Sequence, residues 1–162
     1  VGDAELFALI EESADDKLYS NAEALQSIVR GSVAVKSAIV AEDEREAGRR
    51  RVLNLGHTIG HAIEKSTHEL NHGEAVAVGI SMISRASVRM GIMTEECAER
   101  IDAVLQRLGF DLRLPVSVST VLREVRYDKK KRDNILRVVM PESIGSCRMV
   151  EMPFDEFEKL FV

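Results

Sequence analysis

Apolar residues recur every three to four positions along most of this chain, and that spacing predicts a mainly helical fold. Helix-start signals agree with it. Asn21, Asn71 and Thr94 each precede an apolar run, and their side chains are of the kind that cap helices. Glu74 stands three residues after Asn71, which is the pattern of a capping box. The pattern therefore favours an α-helical domain in which capping residues mark where several helices begin.

Taken in order, these signals predict several helices and one hairpin. The predicted helices cover residues 3–13, 21–41, 56–66, 72–90, 94–109, 119–131 and a last short segment, 154–161. Residues 42–48 are highly charged and are predicted to form a loop. Residues 135–140 and 147–152 are predicted to be two short strands around a turn. In the second helix, Leu25, Val29 and Lys36 share one angular face, which we expect to point inward.

Composition excludes several classes of function. The chain has 162 residues, a net charge of −5 and only 4% aromatic residues, which makes it a poor nucleic-acid binder. No apolar run approaches the length of a membrane span, and the N-terminus lacks the features of a signal peptide. We therefore expect a cytoplasmic protein with reduced thiols at Cys97 and Cys147. The chain begins at Val1 rather than Met, so we expect a fragment.

The chain lacks the sequence features of a dinucleotide-binding domain. It has no alternating βαβ pattern and no GxGxxG or GGG loop. Residues 1–162 are therefore predicted to form a single helical domain with no cofactor-binding residues for NAD. If a further domain normally packs on this one, its docking surface is expected to be apolar and to promote self-association.

All four histidines lie within sixteen residues, at positions 57, 61, 68 and 72. His57 and His61 are four apart, so they lie on the same side of a helix. His72 heads the apolar stripe of the next helix, where a buried imidazole needs a polar partner. Zinc is one such partner, and hydrogen bonds within a core are the alternative. His68 lies in a polar turn and is predicted to be exposed.

The small residues beside these histidines and the basic residues around them are weaker signals. Gly56 and Gly60 would let another backbone or a ligand approach closely. Lys36 on an inward face either snorkels or meets an anion. Basic clusters at residues 49–51 and 129–132 either bind phosphate or carboxylate groups, or form solvated ends of helices.

Two segments resemble a known family. Residues 50–64, Arg-Arg-Val-Leu-Asn-Leu-Gly-His-Thr-Ile-Gly-His-Ala-Ile-Glu, and residues 70–79, Leu-Asn-His-Gly-Glu-Ala-Val-Ala-Val-Gly, are similar to the signature of 3-dehydroquinate synthases. Lys36, the segment 43–48 and the late motif 128–145 also fit that family. The resemblance implies the C-terminal, mainly helical domain of the dehydroquinate synthase-like fold, with a short β-hairpin near its C-terminus.

The resemblance also implies roles for particular residues. It implies that His57 and His72 are metal ligands and that His61 assists proton transfer near the substrate. It implies that Lys36 and Arg50 hold the substrate carboxylate. It implies that Asn54 and Lys129 contact the phosphate group of the substrate. It also implies that Glu46 positions Lys36 or the substrate.

The reaction implied by the resemblance converts 3-deoxy-D-arabino-heptulosonate 7-phosphate to 3-dehydroquinate and phosphate in the shikimate pathway, which leads to the aromatic amino acids. The implied cofactors are zinc or cobalt, and NAD bound by an N-terminal domain that this chain lacks. The full-length enzyme is expected to be a homodimer.

The family's third metal ligand, a Glu in an AExxKxG-like segment, has no match here. We therefore expect this chain alone to be inactive and to bind zinc weakly.

Three alternatives remain at this stage. One is a related sugar-phosphate cyclase, of the 2-deoxy-scyllo-inosose or valiolone synthase type, with other substrates. A second is the C-terminal domain of a metal-dependent glycerol or alcohol dehydrogenase. A third, from another class, is a helical module that binds or assembles without catalysis. Arg50, Asn54 and the Asp128-Lys129-Lys130 motif favour the carboxylated heptulosonate substrate.

Overall fold

A computed structural model describes residues 1–14, 18–43, 48–129 and 134–162. Within these residues the chain is mainly α-helical and carries one antiparallel hairpin near its C-terminus, as predicted. The α-helices are α1 (Ala4–Ser13), α2 (Ala22–Glu42), α3 (His57–Ser66), α4 (His72–Arg89), α5 (Glu95–Arg107), α6 (Val118–Lys129) and α7 (Phe154–Lys159). The strands are β1 (Ile135–Ser143) and β2 (Ser146–Pro153).

The predicted capping residues begin the helices. Asn21 and Thr94 accept hydrogen bonds from backbone N–H groups in the first turns of α2 and α5. At α4, the Glu74 backbone N–H donates to the Asn71 side chain at 3.0 Å, and the Asn71 N–H donates to the Glu74 carboxylate at 2.8 Å. This reciprocal pair satisfies two N–H groups that would otherwise lack partners, and it fixes where α4 begins.

Two 3-10 helices were not predicted. They are Leu18–Ser20, just before α2, and Arg49–Asn54, just before α3. Asp43 stabilises the start of the 3-10 helix Arg49–Asn54. Its carboxylate accepts hydrogen bonds from the backbone N–H of Gly48 at 2.7 Å and of Arg50 at 3.0 Å. This helix lacks apolar periodicity, so the sequence pattern gave no sign of it.

The main core lies between α3, α4, α6, α7 and the hairpin. Its fully buried members are Ile59, Ile63, Val78, Ile83, Val121, Leu136, Val138, Met140, Phe154 and Phe157. A smaller cluster joins α1 to α5 through Phe7, Ala98, Ile101 and Val104. Both cysteines are free and half-buried, and burial raises the pKa of the Cys147 thiol. They are therefore small packing residues in this structure.

The hairpin is longer than predicted. Its register pairs Val138 with Val150 and Pro141 with Cys147, and an irregularity between Pro141 and Ser143 precedes the turn. Gly145 in that turn has a φ of 96°. The predicted strands omitted the residues next to the turn, because Pro141 and Gly145 are poor strand formers.

The prediction that Val29 and Lys36 face inward is wrong. The inward side of α2 is formed by Leu25, Ile28, Gly31, Val35 and Ile39, of which only Ile39 is buried. The neighbouring side carries Val29, Val33, Lys36 and Val40, which we call the valine stripe. Val29 is 60% exposed and Val33 is 59% exposed. Sequence periodicity did not show which of these two adjacent apolar stripes would be covered.

The expectation about membrane length also needs correction. By length and composition alone, α2 is apolar enough to cross a bilayer, with a mean hydropathy of 1.2 over its most apolar window. This criterion is weak, because helices of soluble proteins meet it too. The helix also contains four charged residues, namely Glu23, Arg30, Lys36 and Glu42.

Candidate functional site

The site is built where α3 begins. The 3-10 helix Arg49–Asn54 ends just before Gly56, which has a φ of 78° and so adopts the left-handed conformation that glycine tolerates best. This turn redirects the chain, and α3 then starts at His57. His57 and His61 follow one another along the same side of α3, as their spacing predicted.

Glycines bring α4 up against α3. A Cβ atom on Gly60 would lie 3.1 Å from the Cα of Val76, and a Cβ on Gly79 would lie 3.0 Å from the amide nitrogen of Gly60. Both distances are shorter than nearly all real Cβ contacts, so the helices meet backbone to backbone. The expectation that Gly56 and Gly60 allow a close approach is therefore confirmed, and the approaching group is α4.

Three histidine rings meet across this contact. The centroid of the His57 ring lies 5.5 Å from that of His61 and 5.3 Å from that of His72, and the His61 and His72 centroids are 5.8 Å apart. Both α3 histidines thus lie beside His72, as two helices joined by a short turn allow. His68 is exposed in the turn between the helices, also as predicted.

The hydrogen bonds of two of these rings indicate which ring nitrogen carries a proton and which keeps its lone pair. His57 Nδ1 lies 3.1 Å from the Leu55 carbonyl oxygen, which only accepts, so Nδ1 carries the proton. His72 Nδ1 lies 3.1 Å from Glu64 Oε2, an acceptor when ionised. In the neutral rings, Nε2 then holds the free lone pair and can bind a metal.

Glu64 is a site residue that the sequence analysis did not single out. One ligand atom from each of His61, Glu64 and His72 lies within 4.8 Å of the other two. Glu64 is seven residues after His57 and three after His61, so the spacing rule applied to the histidines also places it on their face of α3. Imidazole nitrogens with a carboxylate oxygen form a ligand set that suits zinc.

His61 differs electrostatically from an isolated histidine. Partial removal from water lowers the pKa of His61, and the neighbouring His57 lowers it further, while Glu64 opposes the shift. The lowered pKa favours a neutral imidazole at pH 7, a form that can accept a proton.

The position of His72 corrects one expectation. Its side chain is 57% exposed, so His72 does not sit at the head of a buried stripe. Gly79 and Ile83, further along that face of α4, are buried, whereas Met90 at its end is 40% exposed. The stripe is therefore covered in the middle of α4 and exposed at both ends.

The other predicted site residues lie on neighbouring segments. Arg50 is half-buried and Asn54 exposed, both on the 3-10 helix that leads into α3. Lys36 is exposed on α2, beside a shallow depression that it lines with Ser37, Val40 and Ala41. Glu46 and the side chain of Lys129 lie outside the described part of the chain.

Comparison with known proteins agrees with this geometry. The model of the 3-dehydroquinate synthase C-terminal family matches residues 1–131. The chain belongs to this family. The resemblance inferred from the two histidine segments is therefore confirmed, and membership of this family is favoured over the dehydrogenase alternative.

Curated relatives carry the family's name. The chain is 38% identical over 162 residues to the 3-dehydroquinate synthase of Nostoc punctiforme, covering 96% of this chain and 45% of that protein. It is 41% identical over 150 residues to the 3-dehydroquinate synthase of Geobacter sp. strain M21, covering 91% of this chain and 41% of the relative. The chain thus spans less than half the length of these relatives.

Solved structures confirm the fold. A 2-epi-5-epi-valiolone synthase from Streptomyces hygroscopicus, with NAD+ and Zn2+ bound, superposes with a TM-score of 0.83 at 25% identity, over 99% of this chain and 46% of that one. A 2-deoxy-scyllo-inosose synthase complexed with carbaglucose-6-phosphate, NAD+ and Co2+ superposes with a TM-score of 0.79 at 21% identity, over 93% and 45%. The dehydroquinate synthase-like fold is therefore shared across these cyclases.

Proposed function

We propose that this chain is the metal- and substrate-binding half of a 3-dehydroquinate synthase, which converts 3-deoxy-D-arabino-heptulosonate 7-phosphate to 3-dehydroquinate and phosphate in the shikimate pathway. The observation that carries the proposal is the family match over residues 1–131, combined with three histidines that meet at the α3–α4 contact. The enzyme would be a phosphate-eliminating lyase, and we assign it to the cytoplasm.

His57 and His72 are the proposed metal ligands, for zinc or cobalt. Their free Nε2 atoms support this assignment, because each Nδ1 already donates to an oxygen. Bound there, the metal would supply a Lewis acid that polarises the hydroxyl and ketone oxygens of the substrate. The third ligand would come from the N-terminal half of the full-length enzyme, which would also bind NAD.

His61 is the proposed proton-transfer residue. Its lowered pKa favours the neutral ring, which is the form that accepts a proton from a substrate hydroxyl. Its place beside both proposed ligands would keep that proton transfer close to the polarised oxygen. A general base of this kind typically contributes about 10²- to 10⁴-fold in rate.

Charged and amide side chains around the histidines would orient the substrate. Lys36 and Arg50 are proposed to hold the carboxylate, and Asn54 and Lys129 the phosphate side. Glu46 would position Lys36 or the substrate. Arg50 and Asn54 are separated from His57 by one short turn, which supports their inclusion in the same site. Holding a flexible sugar phosphate in a reactive conformation is the protein's main contribution.

The isolated chain is proposed to be inactive and to bind zinc weakly, because it would supply two of three protein ligands and no NAD site. The full-length enzyme is proposed to be a homodimer that takes a small sugar phosphate and binds neither nucleic acid nor membranes.

A related sugar-phosphate cyclase is the second candidate, since such synthases share the fold with TM-scores of 0.83 and 0.79. The two candidates differ in substrate. The test measures phosphate release by the full-length protein in the presence of NAD and zinc. Two substrates are compared, the carboxylated heptulosonate phosphate and an uncarboxylated hexose phosphate. Turnover of the heptulosonate alone supports the proposed function. Turnover of the hexose phosphate alone overturns it.

A further inference from the structure

We propose that Glu64 is a positioning residue that holds His72 in the tautomer and orientation needed to bind metal. The inference rests on the proposed function in one respect, namely that His72 is a metal ligand. Glu64 would act through His72, without touching the metal or the substrate.

The first observation is the contact itself. Glu64 is on α3 and His72 is the first residue of α4, so the 3.1 Å contact between Oε2 and Nδ1 links the two helices at the site. The Glu64 side chain is 31% exposed, whereas that of His72 is 57% exposed. An exposed ring at the start of a helix has considerable rotational freedom, and the better-covered carboxylate restricts it.

The second observation is the direction of the hydrogen bond. An ionised carboxylate only accepts, so Nδ1 of His72 carries the proton and Nε2 holds the lone pair. A carboxylate in this position also makes the imidazole a stronger donor to a metal. His57 has a neutral carbonyl partner instead, the Leu55 oxygen at 3.1 Å. Each proposed ligand therefore has its own orienting acceptor.

A competing interpretation is that Glu64 binds the metal directly, since His61, Glu64 and His72 place ligand atoms within 4.8 Å of one another. The contact with Nδ1 argues against it, because Oε2 is already engaged by the ring that would be its fellow ligand. The two roles predict different responses to substitution, so they can be separated by experiment.

The first test measures the tautomer directly, without metal. Long-range proton–nitrogen NMR of the 162-residue chain labelled with ¹⁵N-histidine, near pH 8, reports which nitrogen of His72 is protonated. We expect Nδ1–H in the parent chain, a shift towards Nε2–H in Glu64→Ala, and recovery in Glu64→Gln, whose amide oxygen accepts the same bond. Glu69→Ala, which removes a nearby exposed carboxylate, should change nothing. A His72 ring that is Nε2–H in the parent chain, or unaffected by Glu64→Ala, overturns the proposal.

The second test measures metal affinity in the full-length protein, by competition between Co2+ and a chelator. A positioning role predicts that Glu64→Ala weakens binding by about 10- to 100-fold, that Glu64→Gln retains most of the affinity, and that Glu69→Ala is neutral. Equal and much larger losses in both Glu64 variants would identify a direct ligand and contradict the proposal. Neither test uses turnover, so an inactive enzyme would count against the proposed function while leaving this inference standing.

Discussion

Gly79 of α4 lies so close to the carbonyl oxygen of Gly56 that a methyl group on Gly79 would overlap that oxygen. The contact brings the first turn of α3 against α4, and it is here that His57, His61 and His72 converge. The missing side chain of Gly79 is therefore a condition for the site as well as for the packing.

Replacing Gly79 with Ala should separate the two helices. Overpacking of this kind typically costs about 1–3 kcal/mol of unfolding free energy, and we expect a weaker metal site as well. Urea denaturation and metal titration measure the two effects. The control is Gly73→Ala in the same helix, where a Cβ would meet only Asn71 Oδ1, at an ordinary 3.5 Å. Similar stability for Gly79→Ala and Gly73→Ala would contradict the packing described here.

The core under the site predicts a contrast between two aliphatic residues. Ile63 of α3 is fully buried, whereas Val33 of α2 is 59% exposed. Ile63→Ala should lower the unfolding free energy by about 2–5 kcal/mol, while Val33→Ala should change it by no more than about 0.5 kcal/mol. Chemical denaturation of both variants, at protein concentrations low enough to keep the chain monomeric, checks this. A large loss for Val33→Ala would mean that α2 is covered in the isolated chain.

An ion pair between α1 and α5 predicts a pH dependence. The hydrogen bond from Arg100, at 2.7 Å, lowers the pKa of Glu11 below its ordinary 4.5. Because the folded pKa is below the unfolded one, the pair stabilises the fold above pH 4.5, and this contribution is lost as the pH falls through the folded pKa.

Because the pair is partly exposed, solvent screening keeps its contribution at neutral pH small. Glu11→Gln should therefore be slightly less stable than the parent at pH 7, and the difference should shrink as the pH is lowered towards 3. Denaturation curves at both pH values measure the difference, with Glu12→Gln, at the exposed neighbouring position, as the control. A difference that grows as the pH falls would have the wrong sign.

The valine stripe predicts self-association of the isolated chain. Val29 and Val33 are large apolar side chains left exposed on one side of α2, in keeping with the expected apolar docking surface. We expect sedimentation velocity to show concentration-dependent association, reduced when both valines are changed to Ser. The control is Val162→Ser, which removes an exposed valine outside the stripe. A clean monomer at high concentration would contradict this expectation.

Local signals in the sequence predicted most of the elements, and the physical reason is visible in the caps. Asn71, Glu74 and Thr94 bond the first backbone N–H groups of their helices, so these residue types mark helix starts without help from the rest of the fold. The mutual proximity of the histidines followed from the four-residue spacing and one short turn. Their proposed roles came from the family resemblance.

What the sequence did not reveal depends on contacts between distant residues. The exposure of Val29 follows from which elements cover α2, and periodicity carries no such information. Glu64 was missed although its spacing placed it on the histidine face, because an acidic residue on an amphipathic helix is commonly solvated. The 3-10 helix before α3 depends on the Asp43 carboxylate, which lies outside that helix.

The most direct test is the zinc content and phosphate-releasing activity of the full-length protein carrying His57→Ala, His61→Ala or His68→Ala. The account predicts that His57→Ala loses both zinc and activity, that His61→Ala keeps zinc and loses activity, and that His68→Ala, in the exposed turn, keeps both. Zinc retained by His57→Ala and lost by His61→Ala would contradict the proposed ligand set.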